Sequence, residues 1–135
     1  MADTAITLVT QGINIPHRQV EIPNYVSGVV ALADTNYHAL VIDGRGKRAL
    51  TVHVVNETNK DVAVTVFGAY ASDDDPGDAN VVELGGSGES GFTASATSQN
   101  YETYYDPFPF YIVRLKAATT PNGSNVTVYG NLMSN

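Results

Sequence analysis

The chain is 135 residues long, has no cysteine, and carries 14 acidic against 7 basic side chains for a net charge of −7. That length is one domain, and a core must form without disulfides or thiolate-bound metal, which excludes the small disulfide-stapled scaffolds. The acidic balance repels phosphate backbones and argues against nucleic acid as a partner, and no apolar run approaches the roughly 20 residues of a bilayer-spanning helix, which argues against a membrane.

Residues 1–25 hold short apolar runs at Ile6–Thr10 and Ile13–Ile15, followed by Pro16 and Pro23. Proline cannot donate to a β-ladder, so this segment reads as an edge strand or as an extended arm that reaches a neighbouring subunit. Residues 26–135 read as a single β-sandwich domain. The start, MADTAITLVTQG, lacks the basic lead and apolar centre of a signal peptide, so the expectation is a chain made and kept in a cytosol. On that expectation Asn56-Glu57-Thr58, Asn122-Gly123-Ser124 and Asn125-Val126-Thr127 match the glycosylation acceptor pattern by chance.

From Tyr37 onward apolar alternation predicts strands. Tyr37, Ala39 and Val41 share one face and Leu50, Val52 and Val54 another, with Asp43-Gly44-Arg45-Gly46-Lys47 as the break. A hairpin across that break pairs Val41 with Leu50, Ala39 with Val52 and Tyr37 with Val54. It also sets His38 opposite His53 on the outer face, where two imidazoles without a completing carboxylate read as solvent-facing or interface residues. A second hairpin, through a three-residue loop with left-handed Asn59, pairs Val54 with Val62, Val52 with Val64 and Leu50 with Val66. Phe67 then points outward with Thr65 and Ala63, and suits an interface.

Asp73, Asp74, Asp75 and Asp78 form an acidic cluster without the alternate spacing, distant Glu and flanking helices of an EF-hand, so a mobile acidic loop is expected and no metal. Gly86-Ser87-Gly88-Glu89-Ser90-Gly91 matches a dinucleotide fingerprint letter for letter. The following Phe92-Thr93-Ala94-Ser95 has no helical period, so it reads as a flexible loop and no cofactor is expected. Tyr101, Tyr104, Tyr105, Phe108 and Phe110 form an aromatic cluster around two prolines. They are candidate partner-interface residues, as a sugar-stacking platform or subunit contact, or else a corner plug beneath the sandwich.

The last segment, Asp106 to Leu132, reads as a closing hairpin. Tyr111, Val113, Leu115, Val126 and Val128 face the core, and Pro121, Asn122, Gly123 and Ser124 supply the turn. This hairpin is expected as a second layer on the three-stranded meander. The fold expected is all-β, an antiparallel β-sandwich of about eight strands with little or no helix. No nucleophile elbow, Walker loop, zinc-protease motif or cysteine nucleophile is present, and His17, His38 and His53 show no triad pattern, so no catalytic residue is nominated.

The segment Val41 to Asn56, VIDGRGKRALTVHVVN, resembles a phrase of tailed-phage virion proteins in which an Ile-Asp-x-Arg-Gly turn precedes a Leu-Thr-Val strand ending in Asn. Val62–Gly68 is similar to the next strand of that family, and Pro109–Lys116 with Val126–Gly130 to its closing strands. The resemblance covers residues 37–132 as pattern and departs after Tyr70, where the acidic segment replaces a shorter Asp-Gly turn. It implies a jelly-roll module of the capsid decoration, or cement, type. Such a protein is a non-enzymatic homotrimer bound to the major capsid protein on the outer capsid surface, made in the host cytoplasm. A carbohydrate-binding sandwich on a phage tail or receptor-binding appendage, stacking sugars on Tyr101, Tyr104 and Tyr105, is the alternative.

Overall fold

A computed structural model describes residues 4–7, 9–10, 24–85 and 91–134. The described residues form eleven strands and no helix: β1 Thr4–Thr7, β2 Val9–Thr10, β3 Tyr25–Ala31, β4 His38–Asp43, β5 Lys47–Asn56, β6 Val62–Ala69, β7 Val82–Glu83, β8 Gly91–Ala94, β9 Ser98–Tyr104, β10 Phe110–Ala117 and β11 Asn125–Ser134. They make two packed sheets. The first has the order β1-β4-β10-β6-β7, with β8 also on β6, and the second has the order β2-β3-β11-β5-β9. Every pairing is antiparallel except β1 on β4.

The pairings are nested. β3 pairs with β11, β4 with β10, β5 with β9 and β6 with β8. The chain is thus one long hairpin wound over on itself, and the winding adds β11 on β5 and β10 on β6. That is a jelly-roll sandwich of eight principal strands, with short β1, β2 and β7 added. Near the N-terminus Thr4–Thr7 pair with β4 and Val9–Thr10 with β3. The expected arm over Ile13–Ile15, Pro16 and Pro23 lies outside the described residues.

Nesting overturns the expected hairpins. β4 and β5 lie in different sheets, as do β5 and β6, and β10 and β11, so the connections at 44–46, 57–61 and 118–124 cross from one layer to the other. The Val41–Leu50 and Val54–Val62 registers therefore do not form. The closing segment contributes one strand to each layer instead of covering a meander. Period-2 alternation satisfies both arrangements, because an inward-facing residue meets the core whether its neighbour in sequence lies beside it or across from it. Hence Leu50, Val52, Val54, Val62, Val64, Val66, Tyr111, Val113, Leu115, Val126 and Val128 are all buried, as expected. β4 is the exception in phase. Leu40 and Ile42 enter the main core while Ala39 lies on the outer face and Tyr37 is exposed, because His38-Ala39-Leu40-Val41-Ile42 is apolar on both sides.

Two corners hold the layers in register. At one end Asn56 is buried, and its amide nitrogen donates to Lys60 O at 2.7 Å and Ala94 O at 2.9 Å. Its Oδ1 accepts from Thr58 N at 2.9 Å and Thr58 Oγ1 at 2.7 Å. These bonds, not a left-handed Asn59, close the connection; the only non-glycine with positive φ among the described residues is Thr97. At the other end Tyr111 donates its hydroxyl to Asp106 O at 2.9 Å and accepts from Phe108 N. A Cβ on Gly44 would stand 2.4 Å from the Tyr111 ring, so only glycine lets this turn pass beneath it. In the same turn Asp43 takes Arg45 through both carboxylate oxygens, at 3.0 to 3.2 Å from Nε and 2.6 Å from Nη2.

Asn56→Ala leaves buried carbonyls and an amide without partners, and is expected to lower stability by about 3 kcal/mol, read from the urea midpoint at unchanged m-value. Glu57→Ala, one residue along and exposed, is expected to stay within about 0.5 kcal/mol. Burial pushes the Asp43 carboxyl up, but the hydrogen bonds and charge of Arg45 together hold it below its ordinary value of 3.8. A lowered folded value gives stability that is complete above the ordinary carboxylate range and lost as pH falls through the lowered one. Asp43→Asn is therefore expected to lower the urea midpoint near neutrality and to flatten its fall below about pH 4, so that the two proteins converge in acid.

Candidate ligand-binding face

The two outer faces of the sandwich differ. On the first sheet Ala39, Phe67, Ala69 and Ile112 form a small buried cluster, with Val81 and Phe110 packed against it. The Arg114 guanidinium carbon lies 4.0 Å above the Tyr37 ring centroid and 4.9 Å from that of Phe67. Lys116 also sits over Tyr37, at 5.0 Å, and donates to Thr35 O. Phe67 does point outward as expected. It is only 5% exposed under this cover, which removes it as an interface residue.

The second sheet keeps its outer face open. β5 alternates Leu50, Val52 and Val54 inward with Thr51, His53 and Val55 outward, and β11 alternates Val126, Val128 and Gly130 inward with Thr127, Tyr129 and Asn131 outward. A Cβ on Gly130 would come within 2.9 Å of Ile42 and Val26, so glycine lets the layers close directly beneath this face. Cross-strand register then lines up the outward residues. Tyr129 stands opposite His53, and His53 opposite Tyr101. Asn131 stands opposite Tyr25 and Thr51, and Thr51 opposite Thr103.

An aromatic row results, running across four strands. Tyr25 and Tyr129 have centroids 6.0 Å apart with planes 26° from parallel, and His53 and Tyr129 lie at 5.7 Å and 30°. The Tyr101 ring, 71% exposed, has no ring partner or side-chain hydrogen bond among the described residues. Polar groups flank the row. His53 Nε2 bonds Gln99 Oε1 at 2.7 Å, and the Thr51 and Thr103 hydroxyls bond each other at 2.9 Å. The row, with Thr51, Val55, Gln99 and Asn131, bounds an open hollow of about 990 Å³, with no Asp, Glu, Lys or Arg in its lining.

The aromatic cluster expected around residues 101–110 does not form one surface, because the chain there passes from one layer to the other. Tyr101 joins the row. Tyr104 turns inward and is 1% exposed; burial first, then Glu102, pushes its phenol well up, and its hydroxyl has no partner among the described residues. Tyr105 is 65% exposed but outside the hollow. Phe108 fills the corner over Gly68, edge-on to Tyr70 and Tyr111, as a plug. Phe110 packs on the outer cluster of the first sheet with Arg45 5.4 Å above it. Tyr25 and Tyr129 were not among the expected interface residues. Alternation had already turned Tyr129 outward, but only the β3-β11-β5-β9 order places it beside His53.

The other candidates separate. His38 and His53 lie in different sheets, His38 bonding Asp34 at 2.9 Å and His53 bonding Gln99, so the expected opposition is absent. His17 lies outside the described residues. No group of three or more His, Asp or Glu that could hold a metal occurs among the described residues. Asp74 Oδ2 accepts from Tyr70 N and Ala71 N, and Asp78 Oδ2 from Asp75 N, so both carboxylates close the turns of their own segment. Of the dinucleotide-like motif, Gly86–Ser90 lie outside the described residues, and Gly91 begins strand β8 where a helix would be required.

No protein-family model matches the sequence, and no curated protein does. Among solved structures, the PliG protein of Aeromonas hydrophila, a periplasmic inhibitor of g-type lysozyme, aligns over 98% of this chain and 100% of its own. The identity is 11% and the TM-score 0.50. The enzymatically active domain of tailspike protein 4 of bacteriophage CBA120 aligns over 98% of this chain, which spans 18% of that chain, at 11% identity and a TM-score of 0.42. Likeness at this level concerns the fold, and function has to be argued from the site.

Because the Asp74 and Asp78 carboxylates already accept backbone amides, millimolar calcium is expected to leave the melting temperature unchanged. A rise that saturates with calcium would mean that the acidic segment binds the ion.

Proposed function

We propose that this chain is a non-enzymatic virion protein of a tailed phage, whose working surface is the outer face of the second sheet. The observation that carries this reading is the contrast between the faces. One is sealed by the protein's own Arg114, Tyr37 and Phe67, whereas the other leaves a row of rings in solvent. Exposed apolar area gathered in one place is the ordinary mark of a contact surface. The jelly-roll topology and the resemblance of residues 37–132 to tailed-phage virion proteins support the location on a particle.

The hollow suits binding without chemistry. General acid–base hydrolysis of a glycoside needs a pair of carboxyl groups, and this lining contains none. In the decoration form of the reading, a homotrimer sits on the outer capsid surface and the open face closes on the major capsid protein. Binding to the assembled shell in preference to free subunits then stabilises the shell by linkage. In the appendage form the same face is turned outward to carbohydrate, which the amide and hydroxyl groups around the rings favour.

Light scattering and co-sedimentation with assembled capsids separate the two. The decoration form predicts three chains per particle in solution and pelleting with capsids that Tyr101→Ala weakens about tenfold. A monomer at micromolar concentration that stays in the supernatant overturns the decoration form. Tyr101→Ala and Tyr129→Ala variants that bind capsids and host-cell envelopes as the parent does overturn the face itself.

A further inference from the structure

We infer that the outer face of the second sheet binds a neutral, hydroxyl-rich oligosaccharide, with Tyr101 as the stacking ring; the inference rests on the reading of this face as the working surface. Three features of the face converge on that chemistry.

The first is the pairing of apolar and polar groups. A sugar ring presents C–H groups on its faces and hydroxyls at its rim, so it is held by an uncovered aromatic face with donors and acceptors beside it. Tyr101 is such a face, exposed and with no ring against it. Beside it Gln99 gives its Oε1 to His53, which leaves its amide nitrogen to donate outward. The hydroxyls of Thr51 and Thr103 use one bond on each other and retain capacity for a second partner. Asn131 adds a side-chain amide that bonds no described residue, on the far side of Thr51.

The second is charge. No formally charged side chain lines the hollow, and the chain as a whole carries −7. A polyanionic glycan or a phosphate finds no cation there and meets long-range repulsion, while a basic peptide finds no carboxylate. A neutral ligand whose hydrogen bonds are made by amides and hydroxyls leaves nothing unpaired.

The third is extent. Adjacent strands lie about 4.8 Å apart, so the row from Tyr25 on β3 to Tyr101 on β9 spans about 14 Å, longer than one sugar ring. The volume of about 990 Å³ lies at the upper end of small-ligand sites. An oligosaccharide laid across the strands fills it, and a monosaccharide does not.

The test titrates the folded chain with neutral tetrasaccharides of glucose, galactose, mannose and N-acetylglucosamine, and with a sialic acid oligomer as the anionic control. Binding is followed by tyrosine fluorescence and backbone amide shifts. At least one neutral series is expected to saturate, to bind more tightly as a tetrasaccharide than as a monosaccharide, and to weaken about tenfold with Tyr101→Ala. Tyr101→Phe is expected to retain most of the affinity, and Tyr105→Ala, exposed but outside the hollow, all of it. Melting temperatures of the variants report whether each still folds; if Tyr101→Ala does not, Gln99→Ala with shifts confined to β5, β9 and β11 takes its place.

No saturation by any neutral probe, tighter binding of the sialic acid oligomer, or equal losses from Tyr101→Ala and Tyr105→Ala overturns the glycan assignment. If saccharides fail to bind while Tyr101→Ala still abolishes capsid pelleting, the occupant is a protein and the face remains the working surface. If Tyr101→Ala affects neither measurement, both readings fall.

Discussion

The buried amide of Asn56 sits where β5 leaves one sheet and β6 begins in the other, and it also reaches the last carbonyl of β8. A jelly roll depends on such places, because each crossing takes backbone out of one ladder before it enters another and leaves polar groups inside the sandwich. Those groups must be satisfied locally or the layers cannot close. One side chain with two donors and an acceptor meets the need here, and Thr58 completes it. The Asn56-Glu57-Thr58 triplet, which reads as a glycosylation acceptor, is in the fold a pair of buried clasps. Its amide is engaged on both sides and inaccessible to modification.

At the opposite end the same problem is solved with rings. Tyr111 carries its hydroxyl to the Asp106–Phe108 backbone, Phe108 lies over Gly68, and Gly44 passes under Tyr111. Aromatic side chains here fill volume and satisfy backbone polar groups at once, which explains why a Tyr- and Phe-rich stretch reads as a surface but is used largely as structure. The aromatic residues left over for contact are those that strand alternation turns away from the core, on the one sheet whose outer face has no charged or aromatic cover.

That asymmetry has a simple electrostatic origin. On the first sheet Arg114 and Lys116 alternate with core residues of β10, and both cations find the Tyr37 ring within 5.0 Å. They flatten over the apolar cluster and remove it from solvent. The residues of β5, β9 and β11 that line the hollow are Thr51, His53, Val55, Gln99, Tyr101, Tyr129 and Asn131, with no Lys or Arg among them to fold over the rings. The resulting face sets exposed rings beside amides and hydroxyls, with no carboxylate in its lining.

Alternation along each strand is a local property, written in residues two apart, and it alone determined that the chain is all-β and that Leu50, Val52, Val54, Val62, Val64, Val66, Tyr111, Val113, Leu115, Val126 and Val128 face the core. It also turned Tyr129 outward and left Gly123 to take a positive φ in the last connection. It failed in phase only at β4, where both faces are apolar. Which strand lies beside which was not legible, since a hairpin and a crossing between layers bury the same residues and differ only in the partners of their backbone hydrogen bonds. The tertiary structure decided that. By nesting β3 with β11 and β5 with β9 it gathered Tyr25, Tyr129, His53 and Tyr101 from four separated segments into one row, dispersed Tyr101, Tyr104, Tyr105, Phe108 and Phe110 over five surroundings, and parted His38 from His53. A face made of cross-strand neighbours exists only once the ladder order exists, because contacts between residues so distant in sequence leave no period in it.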